Sequence, residues 1–344
     1  MNPLIWFTLV MSLVTSTIIT MSSNHWLLAW VGLELNTLSA LPMIIKTHHP
    51  RATEATTKYF LIQATAATMI LLASITNTWQ TGQWSISHMT PTSTLLTTTA
   101  IMLKLGAAPT HLWYPQTLQG VPMNTALIIS TWQKIAPLTL LYMTHNSLNH
   151  TILLTIGLAS ALVGGWAGLN QTQTRMILAF SSIAHMGWLL TAIAISPSLT
   201  TLAMILYITT TIATFMPTAT MTKTITDIGT TWPMSPTTLT AMMITLMSLG
   251  GLPPLTGFMP KWLILKTLSS MGLTTLATMV LLASLPSLFF YIRLAYLTML
   301  TTPPTTTNAE HKWRFKLNQP THTAPTIMAA TLLLPLTATL YTTT

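Results

Sequence analysis

The chain contains no cysteine. Disulfides, cysteine-ligated zinc and cysteine-ligated iron–sulfur clusters are therefore excluded within it. Charge is nearly as scarce. Only 5% of the 344 residues are Asp, Glu, Lys or Arg, against about 25% in a typical soluble domain. A soluble fold of this length could not cover its surface with so few charges, and 50% of the residues are hydrophobic. Acids are the scarcest: 4 Asp plus Glu against 13 Lys plus Arg, for a formal charge of +9. In a soluble protein that excess would suggest nucleic acid. Here the basic residues stand singly between apolar runs, so membrane topology explains them and nucleic acid is not expected as a partner. No Gly-x-Gly-x-x-Gly follows a strand pattern and no Walker loop appears, so neither a dinucleotide nor ATP is expected to bind. The first apolar run, Pro3 to Met21, lacks a basic leader and a small-residue cleavage site and reads as a first span. His48-His49 lacks partners for a metal site.

What the chain has instead is long apolar stretches seasoned with threonine, whose hydroxyl can return a hydrogen bond to its own helix. Crossing about 30 Å of hydrocarbon takes roughly 20 mostly apolar helical residues. Eleven segments qualify: 3–21, 25–45, 58–76, 93–116, 122–143, 150–169, 175–195, 199–221, 237–266, 272–298 and 324–343. The expected fold is an all-α polytopic membrane bundle, one transmembrane domain over 1–344. Parity tests the count. Linkers on the N-terminal side carry Lys46, Arg51, Lys58, Arg175, Lys223, Lys312, Arg314 and Lys316, whereas those on the other side carry no clear Lys or Arg. By the positive-inside rule the N-terminus faces the matrix or cytoplasm and the C-terminus the opposite side. The basic linker of about 299–323 also falls inside.

After the loops are removed, five Lys or Arg and one acid remain within spans: Glu34, Lys104, Lys134, Lys261, Lys266 and Arg293. A charge at the bilayer centre costs about 2.5–3.5 kcal/mol on insertion scales. Glu34 lies nine residues into its span, Lys104 eleven and Lys134 twelve. At roughly 1.5 Å per residue these sit near mid-depth, too deep to snorkel. Either they pair only with one another for structure, or they form a proton relay. Burial disfavours a lysine's charge and a nearby carboxylate restores it, which is the balance a proton carrier needs. Arg293 and Lys266, nearer span ends, read as snorkelling anchors. Lys261 follows a helix break.

The fourth span contains Gly106-Ala-Ala-Pro109-Thr-His111-Leu-Trp113-Tyr-Pro115, and the ninth Gly251-Leu-Pro-Pro254-Leu-Thr-Gly-Phe258-Met-Pro260. Both read Gly-x-x-Pro with a second Pro further on and an aromatic between. The copies lie five spans apart, so the second crosses in the opposite sense. Matching Gly/Pro-interrupted helices in inverted five-helix repeats, here about 3–143 and 150–298 followed by the span 324–343, point to the ion site of a transporter. Carbonyls freed by proline need polar partners or water. His111 lies inside the first break, between Lys104 and Lys134 in the chain, and is either a relay group or a hydrogen-bonded structural one. The same alternatives stand for His185 in the seventh span. Gly164-Gly-Trp-Ala-Gly168 has the spacing for close helix packing.

Four stretches carry a family resemblance: Asn24-His-Trp-Leu-Leu-Ala-Trp-Val-Gly-Leu-Glu34-Leu-Asn-Thr, Leu103-Lys104-Leu-Gly-Ala-Ala-Pro-Thr-His111, Thr131-Trp-Gln-Lys134 and Gly250-Gly-Leu-Pro-Pro-Leu-Thr-Gly-Phe-Met-Pro-Lys261-Trp. Together they closely resemble the chain 2 family of mitochondrial NADH–ubiquinone oxidoreductase, respiratory complex I, over nearly the whole chain. The abundance of Met and Thr looks like a vertebrate, mitochondrially encoded version. The resemblance implies an antiporter-like, proton-translocating membrane-arm subunit in the mitochondrial inner membrane. The acid matching Glu34 would tune the lysine matching Lys104. Lys134 would lie on a central hydrophilic axis, and Lys261 near the exit side or a neighbouring subunit. It also implies that NADH, FMN, iron–sulfur clusters and ubiquinone are bound by other subunits, with no cofactor in this chain. The implied partners are other membrane-arm subunits, antiporter-like neighbours among them, and phospholipid, cardiolipin included. Paralogous subunits have about fourteen spans; this chain lacks the first three, so another subunit or lipid is expected to fill that side. A free-standing cation/proton antiporter, a structural spacer and a solute carrier stay open as alternatives.

Overall fold

The computed structural model describes residues 3–45, 49–221, 224–229, 232, 236–302, 323–336 and 339–341. Lys46, His48, Lys223, Lys312, Arg314 and Lys316, with nearly all of the linker 299–323, lie outside the described residues. Among the described residues fifteen α-helices follow one another: α1 Pro3–Ser22, α2 Trp26–Ile44, α3 Pro50–Thr81, α4 Pro91–Leu105, α5 Trp113–Gly120, α6 Met123–Thr131, α7 Ile135–Met143, α8 His150–Gly168, α9 Thr174–Ile195, α10 Pro197–Met221, α11 Ile225–Gly229, α12 Pro236–Gly250, α13 Phe258–Ser270, α14 Thr274–Leu300 and α15 Thr323–Leu332. Among the described residues there is no β-strand, only the isolated bridges His25–Ser85 and Gln173–Thr224. The chain is an all-α, multi-pass membrane bundle.

Among the described residues, α1, α2, α3, α8, α9, α10 and α14 are each long and apolar enough to cross a bilayer. The fourth, fifth and ninth runs fall short because each is cut in two, into α4/α5, α6/α7 and α12/α13. The last run gives only the ten residues of α15 before a 3-10 turn at Leu334–Leu336. Breaks in the fourth and ninth runs were expected from their Gly and Pro. The break in the fifth was not: α6 gives way to a turn of 3-10 helix at Trp132–Lys134, just ahead of Pro137. A proline has no N–H to bond the carbonyl four residues back, here Gln133 O, and its ring crowds that turn, so the ladder gives way beside Lys134.

Threonine behaves as its chemistry allows. Thr20, Thr97, Thr117, Thr214 and Thr245 each donate to the carbonyl three residues earlier, at 2.7–3.0 Å. The hydroxyl is thereby satisfied without leaving its own helix.

The chain divides into two compact units, Met1–Gly157 and Leu158–Thr344, the boundary falling inside α8. In the first, α1 packs against α2 and α3 against α4 and α5. A Cβ on Gly32 would stand 2.6 Å from Thr20 Cγ2, and one on Gly120 2.7 Å from Ala55 Cβ, so both helix pairs use glycine to approach closely. In the second unit, α10 packs against α9, α12 and α15, and α14 against α12 and α13. Gly164 meets the Ala184 backbone of α9, while Gly165 and Gly168 meet Ala283 and Phe290 of α14. The Gly164–Gly168 spacing is thus a close-packing surface, as its pattern suggested.

Candidate functional site

Both breaks start the same way. α4 ends on Gly106 (φ 70°) and α12 runs into Gly251 (φ 80°), a left-handed conformation that glycine adopts without steric penalty. The carbonyls that each break frees are taken up by side chains, but by different ones. In the first unit the Trp113 indole N–H donates to Leu103 O at 3.1 Å and the Gln63 amide to Lys104 O at 3.4 Å. In the second unit the Lys261 ammonium donates to Gly250 O at 2.9 Å. Thr256 in the same break donates to Ala330 O of α15.

In the first unit, Lys104 and Lys134 line one cavity of about 10 Å³ together with Tyr59, Gln63, Tyr114 and Gln133, which is the space of a single water at most. The two lysines are only 5% and 2% exposed. Lys104 is brought in by the last turn of α4 and Lys134 by the 3-10 turn, so each stands where its helix is interrupted. Lys134 Nζ sits 4.8 Å from the Tyr114 ring centroid, a cation–π contact. Lys104 Nζ has no hydrogen-bond partner among the described residues. Tyr59 Oη donates to Gln133 Oε1 at 3.3 Å, and the Gln133 amide to Asn36 O of α2 at 3.5 Å.

Glu34 lies on α2, outside that cavity's lining. No ion pair joins it to a lysine among the described residues. The ion pair seen there is Lys58–Glu54, 2.6 Å, on the solvent-facing first turns of α3. Glu34 Oε2 is buried without a hydrogen-bond partner among the described residues. His111 is half-buried on the break itself, its Nδ1 3.2 Å from Pro109 O, and is not part of the lining.

In the second unit, Lys261 shares a cavity of about 30 Å³ with His185, Trp188, Tyr207 and Ser248. Its ammonium is 5.8 Å from the Trp188 ring centroid. His185 Nδ1 lies 2.7 Å from Ser181 O, so that nitrogen carries the proton, and the ring packs on Tyr207. Lys266 is exposed, with its ammonium 5.7 Å from the Trp262 ring centroid. Arg293 donates to the carbonyls of Leu169 and Gln171 beyond α8, so it fastens the α8–α9 turn. Among the described residues no group of three or more His, Asp or Glu could hold a metal ion. Tyr59, Gln63, Gln133 and Tyr114 were missed from sequence. In the sequence they are two amides and two phenols within apolar runs, too common a pattern to single them out.

A family described as "NADH:quinone oxidoreductase/Mrp antiporter, TM" matches residues 23–287. One described as "NADH dehydrogenase subunit 2 C-terminus" matches residues 288–341. NADH-ubiquinone oxidoreductase chain 2 of Struthio camelus is 50% identical over 340 residues, 98% of each chain. That of Formosania lacustris is 51% identical over 346 residues, 99% of each. A chain in the structure of respiratory complex I from Thermus thermophilus with bound aureothin superposes with a TM-score of 0.81 at 23% identity, covering 99% of this chain and 78% of that one. A chain of the Mrp complex from Dietzia sp. DQ12-45-1b gives 0.81 at 16%, covering 96% and 75%. These solved structures share its antiporter-like membrane fold. The chain belongs to the NADH-ubiquinone oxidoreductase chain 2 family.

Proposed function

We infer that this chain is a proton-translocating subunit of the membrane arm of NADH–ubiquinone oxidoreductase, working in the mitochondrial inner membrane as part of a translocase. The observation that carries the reading is Lys104 and Lys134, two buried lysines from interrupted helices, lining one water-sized cavity. A structural staple would use direct ion pairs, whereas the Lys104 ammonium has neither a salt bridge nor a hydrogen bond among the described residues. In this reading Glu34 acts on Lys104 without a direct bond, and a carboxylate's charge state alters how tightly a buried lysine holds its proton.

In this reading, quinone reduction on another subunit changes the charge near Glu34. Lys104 releases its proton into the cavity, and Lys134 takes it up. Lys261, hydrogen-bonded at the second break, is the relay group of the other unit, and His111 serves at the edge of the first break. The chain supplies no redox group, having no cysteine and no dinucleotide-binding turn; NADH, FMN, the iron–sulfur clusters and ubiquinone belong to other subunits. Eleven spans in two inverted repeats, N-terminus in the matrix and C-terminus in the intermembrane space, agree with the basic linkers. Its partners are the neighbouring antiporter-like subunits and phospholipid.

The test is Lys104→Met in the assembled complex. Proton output per NADH oxidised falls, and the step served by Lys104 slows by about 10²-fold, the low end for a positioned proton-transfer group. Unchanged pumping stoichiometry rejects the assignment. A free-standing cation/proton exchanger is the second reading, raised by the "NADH:quinone oxidoreductase/Mrp antiporter, TM" family that matches residues 23–287. Exchange by the purified chain alone in liposomes would select it.

A further inference from the structure

On the surface of the second unit, α13 and the C-terminal segment enclose a groove of about 420 Å³, lined by Pro253, Phe258, Trp262, Leu263, Leu334 and Tyr341. Its lining is apolar apart from the tips of two aromatic rings. Trp262 is 52% exposed and Tyr341 42%. One turn beyond Trp262, exposed Lys266 holds its ammonium 5.7 Å from the indole centroid. In a membrane protein, exposed tryptophan, tyrosine and lysine near the ends of spans mark the headgroup region, the ring bodies in hydrocarbon and the polar ends among phosphates.

The groove also has the right depth. Eight residues separate Phe258 from Lys266 on one helix, about 12 Å of rise. One leaflet contributes about half of a 30 Å hydrocarbon core. The far end of the groove, Pro253 and Phe258, belongs to the second break, which the span boundaries put well inside the bilayer. A cation at the rim and apolar walls running one leaflet deep describe the two ends of one lipid molecule. A protein helix in the same groove would leave Lys266 without a counter-charge unless it brought an acid.

We propose that this groove binds an anionic phospholipid. Its phosphate pairs with Lys266 beside Trp262 and Tyr341, and one acyl chain lies along Leu263 and Leu334 to Phe258 and Pro253. The consequence reaches Lys261. Neighbouring residues on a helix point about 100° apart; accordingly Trp262 faces the groove while Lys261 is buried at 9% exposure. The acyl chain closes the lipid side of the break and keeps water from reaching Lys261 by that route. The proposal rests on the membrane reading of the chain and not on the relay, so a failed Lys104→Met test leaves it standing.

The assembled complex is reconstituted in phosphatidylcholine vesicles that contain either a diazirine-tailed phosphatidylglycerol or the matching phosphatidylcholine probe. After photolysis, peptides covering 253–266 and 323–341 are read by mass spectrometry, and native gels establish that each variant is assembled. The anionic probe labels these peptides about fivefold more than the zwitterionic one, the effect of a single lysine at the membrane surface. Lys266→Gln removes the difference, Lys266→Arg keeps it, and Leu263→Trp lowers labelling by both probes. Equal labelling by the two probes in the unaltered complex overturns the headgroup assignment. Labelling that ignores Leu263→Trp, or that misses these peptides while reaching α14, overturns the site and gives the groove to a protein neighbour.

Discussion

Lys261 gives its hydrogen bond to a carbonyl that the α12 break frees, while Lys104 faces its cavity unbonded among the described residues. The first arrangement depends on Gly251. A Cβ there would sit 2.9 Å from Lys261 Nζ and would also force a side chain into φ 80°, which costs about 1–2 kcal/mol for an L-residue. Gly251→Ala therefore lowers the thermal stability of the complex and displaces the ammonium from Gly250 O, reducing proton output. Gly82→Ala is the control. It has a similar φ of 72° with nothing within 4 Å, so it loses a comparable amount of stability in a thermal-shift assay and leaves pumping intact. The charged members of the site could be found in the sequence because a lysine at mid-depth conflicts with its surroundings. Gln63, Gln133, Tyr59 and Tyr114 could not, since an amide or phenol in an apolar run raises no comparable energetic objection until its neighbours are known.

Interrupted helices need substitutes for the backbone bonds they lose, and Trp113 supplies one. Trp113→Phe keeps most of the packing but removes the donor to Leu103 O, which then retains only the 3.3 Å bond from Gly106 N. The expected cost is about 1 kcal/mol, an ordinary hydrogen bond, seen as a lower unfolding midpoint. Packing between whole helices is less forgiving. A Cβ on Gly164 would fall 2.5 Å from Ala184 N, and backbone cannot step aside as a side chain can. Gly164→Val forces α8 and α9 apart, and the loss of about 3 kcal/mol or more expected of severe overpacking would show on native gels as a complex lacking this subunit. At this scale the sequence was informative wherever Gly and Pro occurred together, at 106–115 and 251–260. The break at Lys134 escaped notice because Pro137 stands alone, and a lone proline can also be absorbed, as Pro42 and Pro286 are inside α2 and α14.

The absence of cysteine makes orientation directly measurable, since a single introduced thiol is this chain's only one. With a membrane-impermeant maleimide, Thr53→Cys reacts from the matrix side, in inverted inner-membrane vesicles. Asn146→Cys reacts from the opposite side, in mitoplasts. The reverse pattern would turn the molecule over. Hydropathy made the membrane class readable, because it follows from transfer free energies that depend on residue type alone; the orientation expected from the basic linkers is what the two thiols test. Packing inside each unit depends on which faces meet, and composition does not record that. The self-bonded threonines carry a consequence of their own. A hydroxyl that has already given its hydrogen to the carbonyl a turn below has nothing to pass on, so a bundle rich in alcohol groups can still insulate. Hydrogen ions find no ladder along Thr20, Thr97, Thr214 or Thr245, and the electrochemical gradient is not short-circuited through the very helices that help to build it.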